Sequence, residues 1–207
     1  MKKLLFTFAV VIIMGLPKTG NLIAYYQEGI LIDSDYSLAE IYTLKNIPEN
    51  IKKDLRLISV EYFSFDEKLH RGQILIHKEL VKDIVEIFEI IKAQKFPIAK
   101  VIPINKYNWS DDLSTSDNNT SAFNYRYVKG TNKLSAHSYG RAIDINPKQN
   151  PHLRNTSSAL KKKSYDPKNP GTITSESSLV KQFIKRGWKW GGNWRSSKDY
   201  QHFEKLD

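Results

Sequence analysis

The chain has 207 residues, 40% of them hydrophobic, a formal charge of +10 and no cysteine. Such a length and apolar content suit one domain with a real core and exclude a disordered chain; the missing cysteines exclude disulfide scaffolds, thiolate metal sites and cysteine nucleophiles, leaving histidine and carboxylate as the strong metal ligands. The basic balance implies an anionic partner surface, but the runs Lys52-Lys53, Lys161-Lys162-Lys163 and Lys181 to Lys189 lack the aromatic interleaving of a base-stacking face, so no nucleic-acid partner is expected.

Lys2 and Lys3 precede an apolar run over 4–16 that Pro17 closes, the pattern of an export signal. The run is short for a bilayer span, and Ala24 is the best cleavage candidate. Residues 1–24 are therefore read as a signal peptide or N-terminal anchor. The protein is expected to be secreted or held in the cell envelope, in periplasm or cell wall, with transient membrane or wall association through this segment and its basic surface. Loss of Lys2, Lys3 and Lys18 would leave the remainder basic. Residues 25–207 form one domain whose strongest motifs lie in 115–207. Within it, 25–56 is mixed and loop-rich, with a helical turn expected over 48–55.

From Leu57 the pattern sharpens. Residues 57–63 and 73–77 are β-branched or aromatic and read as strands. Leu80, Val81, Ile84, Val85, Ile87, Phe88 and Ile91 keep a helical period, so a helix is expected over 78–96 with Pro97 as its stop. His77, Arg71 and Gln73 stand at its entrance and are read as structural. Residues 105–133 are Asn-, Ser- and Asp-rich, a long polar loop of the kind that is functional or an insert. Arg126 is its residue of interest: it either reaches a substrate carboxylate or developing oxyanion, or makes a surface salt bridge.

Two strings carry the chemistry. In Ser135-Ala136-His137-Ser138-Tyr139-Gly140-Arg141-Ala142-Ile143-Asp144, alternation over 142–146 predicts a strand with Ala142, Asp144 and Asn146 on one face and Ile143 and Ile145 in the core. Gly140 permits the turn or close approach that lets His137 and Asp144 converge, and Ser135 is a candidate substrate contact. Downstream, Leu179, Val180, Phe183 and Ile184 predict a short amphipathic helix ending at Gly187. A tryptophan-rich stretch, Trp188 to Trp194, leads to Asp199-Tyr200-Gln201-His202-Phe203-Glu204. A strand over 200–204 would place His202, Tyr200 and Glu204 on one face and Phe203 inside.

His137, Asp144 and His202 then make a two-histidine, one-carboxylate ligand set, the number that a catalytic zinc (Zn2+) keeps. Asp199 is a second carboxylate at the strand's mouth, placed for general-base work or, more plainly, for capping a turn. Glu204 is either a brace for a ligand histidine or a surface charge.

The pattern S-x-H-x-x-G-x-A-x-D, then W-x-W-G-G-x-W, then D-x-x-H-F-E, resembles the zinc D-alanyl-D-alanine carboxypeptidases and related peptidoglycan peptidases of the VanY type. The resemblance covers the last third of the chain and, less specifically, Ser121-Ala122-Phe123-Asn124-Tyr125-Arg126. It implies His137, Asp144 and His202 as zinc ligands, Asp199 as catalytic carboxylate where many relatives have glutamate, and Arg126 as the substrate or oxyanion arginine. It also implies an α+β fold, with a small, mainly antiparallel sheet carrying the zinc site and helices packed beside it. The expected activity is hydrolysis of peptidoglycan stem peptides by a monomeric D-Ala-D-Ala carboxypeptidase. L-Ala-D-Glu endopeptidase and D,D-dipeptidase activities share the motif, and a non-catalytic zinc-containing wall-binding module is the alternative of another class.

Overall fold

The computed structural model describes residues 29–43, 45–154 and 165–206. The expected export segment lies outside the described residues, among which no helix is long and apolar enough to cross a membrane.

A long hairpin organises the first half. Strands β2 (Leu55–Phe63) and β3 (Leu69–His77) pair antiparallel from Leu55 opposite His77 to Phe63 opposite Leu69. Both start earlier than the β-branched runs suggest, because the ladder extends over Arg56, which reaches solvent, and His70, which Asp33 and Asp66 hold. Tyr62, Val60, Ile74 and Ile76 face helix α3 (Val81–Ala93), whose Ile84, Ile87, Phe88 and Ile91 complete that side of the core. Leu55 and Leu75 enter a second cluster on the other face, with Ile41, Ile47, Ile51, Ile104, Trp109 and Phe123. Burial on both faces explains why β3 reads as an apolar run rather than an alternation.

The expected helix over 78–96 is shorter at both ends. A tighter turn, Lys78–Leu80, precedes it, and it closes before Pro97 through Lys95, whose φ of 50° is left-handed. Lys95 N–H donates to Lys92 O and Phe96 N–H to Ile91 O, the two bonds of a Schellman end. A lysine at the position glycine usually takes left no sequence signal. The second expected closure is found at its glycine: helix α5 (Ser178–Lys185) ends with Gly187 at φ 84°, Gly187 N–H on Ile184 O, Trp188 N–H on Phe183 O, and the Trp188 and Phe183 rings packed edge to face at 5.2 Å.

Two loop expectations are corrected. The 25–56 region holds a short strand β1 (Leu31–Ile32) parallel to β3 and helix α1 (Leu38–Tyr42), which opens with a Ser37–Glu40 capping box, while the helical turn expected over 48–55 is present as helix α2 (Glu49–Lys52). The polar stretch 105–133 is not a structureless loop. It contains a tight turn Ile104–Tyr107 and helix α4 (Asp111–Ser116), capped by Ser110, and its Asn118, Asn119 and Thr120 are buried. Their side chains replace a backbone ladder: Asn119 Oδ1 accepts from Ile102 N–H while Nδ2 donates to Ile102 O. At Asn118, Asn119 and Thr120 polar composition signals interior hydrogen bonds rather than solvent.

The site is carried by a small antiparallel sheet of order β4-β8-β6, formed by β4 (Ala142–Asp144), β6 (Lys189–Trp190) and β8 (His202–Glu204). A two-stranded ladder, β5 (His152–Arg154) with β7 (Ser197–Asp199), flanks it. Ile143 and Phe203 lie opposite each other and fall in the same core cluster as α3, while Phe203 stacks on Phe183 at 4.0 Å. The ligand-bearing sheet is thereby bolted to the hairpin and helix layers, giving the expected α+β architecture.

Candidate metal centre

The strand expected over 142–146 stops at Asp144. Asn146 instead turns left-handed (φ 46°) and its buried side chain donates to Pro97 O and Gly171 O and accepts from Ala99 N–H. Up to that point the alternation holds, with Ile143 in the core and Asp144 on the other face. Opposite it in register is His202, so one cross-strand pair supplies two of the three candidate ligands.

The third comes from the short turn Ala136–Tyr139 that precedes β4. Gly140 ends that turn at φ 64°, and a Cβ there would fall 2.6 Å from Leu55 Cδ2 and 2.7 Å from His77 N; its carbonyl accepts from His77 N–H. Both reasons for glycine apply: a left-handed backbone and contact with the hairpin. The turn brings His137 Nε2 to 3.3 Å from His202 Nδ1 and 3.3 Å from Asp144 Oδ2, while His202 Nδ1 lies 2.9 Å from Asp144 Oδ1. All three residues are buried and form a group able to hold a metal ion.

Each histidine is braced from behind. His137 Nδ1–H donates to Ala122 O at 2.6 Å, which leaves Nε2 as the lone pair facing the centre. His202 uses the opposite edge: Nε2 stands 3.5 Å from Glu204 Oε2 and Nδ1 faces the centre. Burial works against the charge on Asp144, but the two imidazoles outweigh it and hold the carboxyl far below the usual range. Burial likewise opposes charge on His202, and Asp144 and Glu204 reverse that, pushing it up to about 10.

Asp199 is brought to the same place by a different element than expected. It ends β7 rather than opening a strand with His202; Tyr200 and Gln201 bend between them. Burial first, and the charge of Asp144 second, push the Asp199 carboxyl up to about 7, with His202, His137 and Arg126 pulling it back. A carboxylate in that range can take and return a proton near neutrality. Its Oδ1 is buried without a hydrogen-bond partner among the described residues.

Arg126 is tied to the first motif by its backbone. Ser135 N–H donates to Arg126 O, and the buried Ser138 hydroxyl both donates to Arg126 O at 2.6 Å and accepts from Arg126 N–H at 2.9 Å. Two serines flanking His137 therefore fix the segment that carries the arginine. Its Nε donates to Asp111 Oδ1 at 3.1 Å, so a salt bridge is present, and the guanidinium is still near enough to Asp199 to act on its charge. Ser135 is buried, and its hydroxyl accepts from His137 N–H as the cap of the turn.

Several supporting residues gave no readable signal as such. The tryptophan-rich motif is the scaffold of Asp199 and His202. Trp190 Nε1–H donates to Tyr200 O, the Trp194 ring lies 5.3 Å from the His202 ring, and Gly191 has no room for a Cβ, which would sit 2.5 Å from Asp199 O. His152 pairs across the β5–β7 ladder with Asp199. Only the need to fit backbone against Asp199 distinguishes Gly191 from any turn glycine, and that needs the fold.

Two imidazoles and a carboxylate, converging in the interior with a further buried carboxylate near them, form a group able to hold a metal ion, the donor set that metal-dependent hydrolases use. The model of the D-alanyl-D-alanine carboxypeptidase family matches residues 129–205, the segment holding both motifs. The family match over this segment and the candidate centre together support a metallopeptidase. No curated protein and no solved structure matches the chain.

Proposed function

We propose that the protein is a secreted, monomeric zinc metallopeptidase that hydrolyses peptide bonds in peptidoglycan stem peptides, acting as a D-Ala-D-Ala carboxypeptidase. The observation that carries this is the spacing of the ligand atoms. A tetrahedral zinc with ligands at about 2.0–2.1 Å needs ligand atoms about 3.3 Å apart; His137 Nε2 and His202 Nδ1 are 3.3 Å apart, and Asp144 brings Oδ2 to 3.3 Å from the first and its other oxygen, Oδ1, to 2.9 Å from the second. Neutral imidazole and carboxylate donors suit that ion, and two of the three are oriented from behind as its ligands usually are. Bound there, zinc would supply Lewis acidity, polarising a scissile carbonyl and acidifying water.

The chain's own residues do the rest. Asp199, whose carboxyl is destabilised as an anion by burial and by Asp144, takes the proton of the attacking water and returns it to the leaving amine. Arg126, fixed through Ser135, Ser138 and Asp111, offers its guanidinium to the terminal carboxylate or the developing oxyanion. Ser135 contributes to the substrate pocket through the turn it caps. The net basic charge favours association with an anionic wall.

Mass spectrometry of muropeptides digested by the zinc-loaded protein tests the reading. Loss of a single terminal alanine identifies the carboxypeptidase, release of a dipeptide the D,D-dipeptidase, and a cut between L-Ala and D-Glu the endopeptidase. Wild type and Asp199→Ala equally inert on every stem peptide would leave a wall-binding module instead.

A further inference from the structure

The ladder between β5 and β7 sets His152 directly across from Asp199, and His152 Nδ1 stands 3.5 Å from Asp199 Oδ2. The two oxygens of that carboxylate are thus unlike: Oδ2 faces an imidazole, while Oδ1 is buried with no hydrogen-bond partner among the described residues. Gly191 packs against the Asp199 backbone and Cβ. His152 stands apart from the ligand cluster of His137, Asp144 and His202.

We infer that His152 is a positioning residue for Asp199, its Nδ1–H holding Oδ2 so that Oδ1 is the oxygen presented to the reacting proton. A carboxylate's terminal torsion is broad and nearly two-fold, so packing at Cβ alone leaves the two oxygens free to exchange places. Proton abstraction requires a heavy-atom separation of about 2.6–3.2 Å, and one oxygen tethered through a ladder-fixed histidine removes that freedom. Strand β5 is itself anchored where it begins, since Tyr200 N–H donates to Pro151 O, so imidazole and carboxylate move as one unit. The kinetic part of this inference rests on the peptidase reading above; the contact does not.

Two measurements on the zinc-loaded protein test it. Long-range proton–nitrogen NMR at mildly alkaline pH should show His152 as the Nδ1–H tautomer, with the Nδ1 and Nδ1–H resonances shifted in Asp199→Ala. His152→Ala should lower kcat about tenfold, with KM and zinc content unchanged, and His152→Asn, whose amide reaches the Nδ1 position, should restore most of the loss. An Nε2–H tautomer with Asp199 intact overturns the inference whatever the activity. So does an unchanged kcat in His152→Ala, or a loss that follows zinc out of the protein. The Nδ1–H tautomer in a protein inert on every stem peptide would uphold the contact and sink the peptidase reading alone.

Discussion

Removing the carboxylate behind His202 should weaken metal binding by a defined and modest amount. Groups that brace a ligating histidine are worth about 10–100-fold in metal affinity, or about 1.4–2.7 kcal/mol. Glu204 belongs at the lower end of that range. Its Oε2 is 3.5 Å from His202 Nε2, beyond a tight charge-assisted bond, and its side chain retains 20% of its exposure, so water screens the pair. The contact is nevertheless felt by both partners: the imidazole holds the Glu204 carboxyl below the ordinary range despite its burial, and Glu204 helps raise His202. Glu204→Ala, which deletes acceptor and charge, should raise the zinc dissociation constant about tenfold. Glu204→Gln keeps an acceptor and loses the charge, which is about half the strength of such a bond, so about threefold is expected. Competition against a chromophoric chelator, alongside His202→Ala as the ligand-loss control, reads these differences directly. An unchanged affinity in Glu204→Ala would refute the argument that the brace raises ligand basicity. A loss as complete as that of His202→Ala would show that Glu204 is holding the strand and not tuning the ligand.

Gly191→Ala should separate base from metal: its Cβ would arrive 2.5 Å from Asp199 O and 2.9 Å from Asp199 Cβ, and a displacement of about 1 Å at a reacting group costs about a hundredfold in rate. Zinc content should stay stoichiometric while muropeptide hydrolysis falls, and full activity would show that the loop yields without moving Asp199. His70 should give the fold a pH dependence of known sign. Its Nδ1 faces Asp33 Oδ1 at 3.0 Å and its Nε2 faces Asp66; burial opposes the charged ring, but these partners prevail and raise its pKa. A raised histidine stabilises the fold fully below the unfolded value of about 6.5 and loses that contribution as pH climbs through the folded value. Urea unfolding of His70→Gln against wild type should therefore show the larger deficit at pH 5–6 and a smaller one at about pH 9; a deficit independent of pH would mean that only packing was lost.

Legibility in the sequence followed the range of the interaction that fixes each feature. Gly187, Phe183 and Trp188 lie within six residues, so the closure of α5 could be read in advance from a glycine after an apolar stripe. Helix α3 closes by the same two hydrogen bonds, yet Lys95 takes the left-handed position. Sequence placed the stop at Pro97 because tertiary packing of Phe96 and Ile91, not local preference, selects that turn. Ligand types and their order were legible because metal chemistry restricts them to histidine and carboxylate in a chain without cysteine. The face alternation of Ile143 and Asp144 was legible because a strand has period two.

What escaped was fixed by contacts between distant segments. Asparagines between 105 and 133 look like loop because their usual place is in water; Asn118 and Asn119 are instead interior, each hydrogen-bonded to a backbone that comes alongside only in the folded chain. Asn146 extends an alternating pattern that sequence assigns to the strand, but three backbone groups from two other segments capture its side chain and turn it left-handed. His152 and Gly191 both touch Asp199, each across a different fold contact. The three candidate ligands can therefore be named from composition and spacing, because in a chain without cysteine a zinc-type ion is left with histidine and carboxylate. The groups that aim the base are chosen by where β5 and the glycine pair of the tryptophan motif pass it, and the same residue types elsewhere in the chain carry no such meaning.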